Sequence, residues 1–112
     1  MSSRRQSIIR VRHYTRVSAK AKILRELRLV PKDQHRVFVE KADREALSPR
    51  KAESTYLLKR GKGNAYVEFE VQTVELKSQT NRLTGETEWF LRGEVDLSNR
   101  HPEGFDNRKA RT

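Results

Sequence analysis

The stretch IIRVRHYTR, residues 8–16, alternates apolar and basic side chains and then closes on His13, Tyr14 and Thr15. Period-two alternation predicts a strand, because successive side chains of extended backbone point to opposite faces. Ile9, Val11 and His13 share one face, and Arg10, Arg12 and Tyr14 the other. A helix follows at once. Ser18 is its candidate N-cap, and the periodic run reaches about Arg28, with Ala21, Leu24 and Leu27 facing inward. Lys20, Lys22, Arg25 and Arg28 face water, and Pro31 ends the unit.

Working outward, residues 36–40 (RVFVE) predict a second strand with Val37 and Val39 on one face and Phe38 on the other. LSPRKAESTYLLKRG carries the strongest helix signals: Ser48 as N-cap, Pro49 at the first helical position, and Gly61 beyond the last turn. Ala52 and Tyr56, four apart, share a face of that helix. Residues 65–71 alternate as a long strand, and residues 74–77 extend or follow it. The run SQTNRLTGE is read as a loop leading to a strand at 87–91, and a further strand at 94–98 follows Gly93. Helices early and strands late predict an α+β fold.

The chain has 112 residues, enough for one domain with a small core, and its apolar residues fall in periodic blocks. Residues 8–106 form the expected domain. Residues 1–7 and 107–112 are polar, basic ends expected to fray. The absence of cysteine excludes disulfides, thiolate metal sites and cysteine nucleophiles. No apolar run reaches even seven residues, so neither a signal peptide nor a membrane span is expected. If the protein is exported, the signal is expected to lie elsewhere, or the chain to be a fragment of something larger. A formal charge of +10 predicts a polyanionic partner: nucleic acid, an acidic protein or an anionic cofactor.

Candidate chemistry is sparse. His35 and His101 fall in polar turns, whereas His13 lies on an apolar strand face, where a satisfied core histidine is the ordinary role. No histidine pair has metal-ligand spacing, so no metal site is expected. No serine sits in a nucleophile elbow, no phosphate loop is present, and RGKGNAY reads most simply as a helix stop and turn. Glu86 and Glu88 stand where a glycine-containing loop enters an aromatic strand, the setting for a carboxylate held rigidly beside a mobile substrate loop.

Taken in order, VRHYT, ILRELRLVP, HRVFVE, LSPRKAESTYLL and NAYVEFEV resemble the small ADP-ribosyltransferase toxins, in particular the His-Tyr-acid branch found as C-terminal parts of bacterial polymorphic toxins. The similarity spans residues 11–98. It implies a split β-sheet fold with two short helices, use of NAD, and transfer of ADP-ribose to a macromolecule, RNA or protein. His13 would hold the adenosine-side ribose with Thr15 in support, Tyr56 would stack on the nicotinamide, and Tyr14 or Phe38 would supply its other face. Glu88 would be the catalytic acid and Glu86 would orient the acceptor. The branch is described by an Asp as its third member, which leaves Asp96, and also Glu94 and Glu68, as alternatives to Glu88.

The resemblance further implies a monomeric effector acting in the cytoplasm of a target cell and an acidic immunity protein as partner. The competing reading is a nucleic-acid-binding or ribonuclease toxin that does not use NAD. It rests on the 25 Lys and Arg residues and the cluster Arg10, Arg12, Arg16 and Lys20.

Overall fold

The computed structural model describes residues 7–31 and 35–107. Of the ends read as tails (1–7 and 107–112), residues 1–6 and 108–112 lie outside the described residues. Eleven elements follow in the order β1 (Ile8–Thr15), α1 (Val17–Glu26), β2 (Arg28–Leu29), β3 (Arg36–Lys41), α2 (Pro49–Thr55), β4 (Ala65–Gln72), a 3-10 turn (Thr73–Glu75), β5 (Lys77–Thr80), β6 (Thr87–Arg92), β7 (Val95–Asp96) and β8 (Glu103–Asp106). Six strands form one antiparallel sheet in the order β5-β6-β3-β1-β4-β8, and β2 pairs with β7 in a separate ribbon. The fold is α+β with two helices. No helix among the described residues is long and apolar enough to cross a membrane.

The alternation in β1 sorts the sheet into two unlike faces. Val11, Val67, Phe69, Val71, Val37, Val39 and Leu91 line one face and share a core with Leu29, Val95 and Leu97, and Ile23 and Leu24 of α1 pack on this core. Gly104 of β8 lies close under α1, where a Cβ would stand 2.5 Å from the Leu24 side chain, so a larger residue would require that side chain to shift. The opposite face is a ladder of charges. Arg12 stands across from Glu40 on β3 and Glu68 on β4. Arg12 is 3% exposed, and its guanidinium donates to Glu40 Oε2 at 2.5 Å, to Glu68 Oε2 at 3.0 Å and to the Arg44 carbonyl at 2.9 Å. Burial alone would lower the Arg12 pKa, but the bonds to Glu40 and Glu68 together outweigh it and raise it.

Several expectations are corrected. Helix α1 starts at Val17, with Arg16 and not Ser18 as N-cap, because the ladder with β4 holds β1 extended as far as Thr15↔Ala65. It stops at Glu26, where Leu27 turns left-handed (φ 54°), so Arg28 belongs to a strand. Ala21 and Leu27 therefore face water, and Ile23 joins Leu24 inside. Residues 78–80, read as the start of the loop, belong with Lys77 to β5, and the turn proper is residues 81–86. Strand β8 was not anticipated. It is short and contains glycine, and it forms because β4 offers an open edge and Phe105 stacks on Tyr66 at 5.0 Å. Asn107 is anchored rather than frayed, donating from Nδ2 to the carbonyls of Leu47 and Gly63. Arg10 and Arg12 do not form a free basic patch, since Arg12 is buried and Arg10 lies among Glu68, Glu70 and Glu103.

Removing a buried cation between two carboxylates leaves both uncompensated. Arg12→Met is expected to lower the unfolding free energy by about 3–5 kcal/mol in urea titrations. Arg10→Met, whose shortest ion pair is with the exposed Glu103, should cost less than about 1 kcal/mol.

Candidate active site

The site begins where β1 and β3 part. Their ladder contains two pairs, Val11↔Lys41 and Arg12↔Glu40, and then stops, although both strands continue. In place of the next rung, the His13 side chain bonds across the gap, with Nδ1 2.8 Å from the Phe38 carbonyl oxygen. A carbonyl can only accept, so Nδ1 carries the proton and Nε2 keeps its lone pair. Burial pushes the His13 pKa below its ordinary value and Lys62 adds to the effect, while the bond to the Phe38 carbonyl opposes both. The ring is therefore held as a neutral, oriented imidazole.

The gap opens into a cavity of about 550 Å³. Residues from four segments meet there: His13, Tyr14 and Thr15 from β1, Phe38 and Glu40 from β3, Tyr56 just past α2, and Glu88 from β6. Helix α1 closes one side through Ala19, Lys22 and Ile23. Thr15 is nearly buried and Phe38 is 38% exposed.

Glu40, which the sequence reading did not single out, joins the two tyrosines. Its Oε2 accepts from Tyr14 Oη at 2.7 Å as well as from Arg12, and its Oε1 accepts from Tyr56 Oη. Tyr14 Oη in turn accepts from the Leu47 N–H at 2.8 Å. Burial first, and then the bond to Glu40, pushes both phenols above their usual pKa, so both remain donors. The ring centroids stand 5.9 Å apart at 31°. Rings so held cannot rotate freely, and they form a fixed wall of the cavity. The signal for Glu40 was its position at the end of RVFVE, but its partners depend on strand register, which a lone sequence does not reveal.

On the far wall, Glu88 is pinned through both oxygens: Gln79 Nε2 donates to Oε1 and Asn81 Nδ2 to Oε2, each at 3.0 Å. Arg36 holds Gln79 through its side-chain oxygen. The donors come from β5 and the turn, so the β5–β6 hairpin itself fixes the carboxylate. The alternative acids lie elsewhere. Glu68 is bound to Arg12, Glu94 lies 3.8 Å from Arg28, and Asp96 accepts from Ser98 beside a separate groove lined by Glu75 and Arg100. Hydrogen bonds from Ser98 hold the Asp96 pKa below the carboxylate norm. Glu86 lies in the turn, its carbonyl accepting from the Asn81 N–H, and does not line the cavity. Of the other histidines, His35 is in the turn before β3, and His101 bonds Glu70 at 3.1 Å on the charged face.

A family model matches residues 11–101, from the second half of β1 to the segment before β8. It describes toxins with a HYD1 signature containing ADP-ribosyltransferase. The chain belongs to this family. The match includes every residue named above as lining the cavity. No curated protein and no solved structure matches the chain.

His13 should titrate below the ordinary 6.5 in NMR spectra of the folded protein. The unfolded imidazole binds its proton first as pH falls, so the stability supplied by neutral His13 is present above about 6.5. It is lost between 6.5 and the folded value. Urea unfolding followed from pH 7.5 downward should show this loss, and His13→Gln should remove that part of the slope.

Proposed function

We propose that the cavity between β1, β3 and β6 binds NAD and that the chain transfers its ADP-ribosyl group to a macromolecule. The observation that carries this reading is the convergence of His13, Phe38, Tyr56 and Glu88 on one cavity from four separate parts of the chain. It is supported by membership of an ADP-ribosyltransferase toxin family. In this reading the parting of β1 from β3 is the split of an ADP-ribosyltransferase-like sheet. NAD is a substrate, and the residues suit it: a neutral imidazole with a free acceptor nitrogen for a ribose hydroxyl, aromatic rings for a flat nicotinamide, and a fixed carboxylate for the developing cation.

The reaction breaks the bond from the nicotinamide nitrogen to ribose C1′, and the electron pair leaves with nicotinamide, neutralising its positive charge. Positive charge then develops on the ribose ring. Glu88, already held by Gln79 and Asn81, stabilises that charge without reorganising. An acceptor oxygen or nitrogen forms the new bond to C1′ and gives up its proton to a base or to water. Thr15 would support His13, and Tyr14 and Tyr56 would present their faces because Glu40 occupies their hydroxyls. A delivered effector that acts in the target-cell cytoplasm and is restrained by an acidic immunity protein is the biological setting this activity suits. The reading without NAD would need an acid–base pair for RNA cleavage. Among the described residues the histidine bonded to a glutamate is His101, whose partner Glu70 is shared with Arg10 and which lies outside this cavity, while His13 bonds the Phe38 carbonyl and not an acid.

Cleavage of labelled NAD tests the assignment. Glu88→Gln should lose at least about 100-fold in rate while folding normally, as expected for a lost transition-state charge partner. Asp96→Asn should stay near the wild-type rate. An inactive Asp96→Asn with an active Glu88→Gln would overturn the choice of acid.

A further inference from the structure

The charge of this chain is segregated. Residues 16–31 and 49–63 hold ten Lys and Arg against two Glu, whereas residues 64–107 hold four against nine acids. The two basic segments meet in space, since Arg16 Nη1 donates to the Arg60 carbonyl at 3.2 Å. They also border the same cavity, through Lys22 of α1 and Lys62 in the turn after α2. Arg50, Lys51, Lys59 and Arg60 are exposed on the second of these segments. The acid in this second segment, Glu53, is turned inward to accept from the N–H groups of Gly61 and Gly63. At the cavity mouth Val30 and Leu57 are 57% and 58% exposed, next to Phe38.

A coat of charge that merely keeps a protein soluble has no reason to gather on one flank of a cleft. Clustered cations beside an apolar mouth suit a phosphodiester chain, whose phosphates need neutralising and whose unpaired bases need a flat apolar surface. We propose that the flank formed by α1, α2 and the turn after α2 docks a single-stranded nucleic acid, which presents a nucleophile to the cavity. As an account of the acceptor this rests on the NAD reading above, but the docking can be measured without NAD.

The test uses labelled single-stranded RNA and DNA of one sequence in fluorescence anisotropy across a salt series. Three proteins are compared: wild type, Lys51→Glu/Lys59→Glu on the flank, and Lys77→Glu/Arg92→Glu on the β5–β6 hairpin with the same change in charge. Neither Lys51 nor Lys59 lines the cavity. Wild-type affinity should fall steeply with salt. The flank variant should bind about 10-fold more weakly, with a salt slope smaller by about 1.4, the value for two lost phosphate contacts on a single strand. The hairpin variant should stay within about 2-fold of wild type. Equal binding of RNA and DNA supports docking through the backbone alone, and preference for RNA supports contact with the 2′-hydroxyl. Salt-insensitive binding, equal losses in the two variants, or transfer of label from NAD into a protease-sensitive band would overturn the proposal. Unchanged NAD cleavage by the flank variant shows that it is folded. Failure of wild type to cleave NAD would instead defeat the NAD reading and leave docking to the anisotropy result.

Discussion

One guanidinium ties this small sheet together. Arg12 lies buried between Glu40 and Glu68 and so joins three adjacent strands, β3, β1 and β4, on the face away from the apolar core. Burying a charge is costly unless it is paired and its hydrogen bonds are met, and here carboxylates on both sides and the Arg44 carbonyl meet them. The arrangement also determines what Glu40 does. With one oxygen shared between Arg12 and Tyr14, its other oxygen receives Tyr56, so the rigidity of the sheet passes to a residue beyond α2.

The same place is where the β1–β3 ladder ends. Strands that stayed paired would leave no cleft, and strands that parted without compensation would strand a carbonyl. His13 resolves this by bonding the Phe38 oxygen, which fixes the imidazole tautomer and orientation at the cleft wall. The opposite wall is made by similar means, with Gln79 and Asn81 holding both oxygens of Glu88. Both walls are set by hydrogen bonds to neighbours rather than by exposed side chains free to move, which suits a site that must stabilise charge without rearranging.

The parts of the fold legible in the sequence are those with a strong local period. The alternation in β1 and β4 and the Ser48–Pro49 start of α2 agree with the structure, including the N–H of Lys51 bonded to Ser48 Oγ. What stayed hidden depends on pairing between distant segments. Strand β8 has little intrinsic preference and exists because β4 has a free edge. The start of α1 is set by a strand ladder rather than by a cap. In the site, His13 and Tyr56 could be chosen because the resemblance pointed at them. Glu40 could not, because its partners Arg12, Tyr14 and Tyr56 are distant in sequence and meet it only through register. Arg10 and Arg12 read as surface charge for the same reason, since their acids lie on strands whose alignment a single sequence does not give.

The cleft at the parting of β1 and β3 is the proposed binding site for NAD. Titrating NAD into isotopically labelled protein and following backbone and side-chain NMR signals tests it most directly. Shifts should gather at His13, Phe38, Tyr56 and Glu88 and leave Asp96, Ser98 and Arg100 unmoved. Shifts confined to the groove around Asp96 and Arg100, with His13 and Tyr56 silent, would contradict the account.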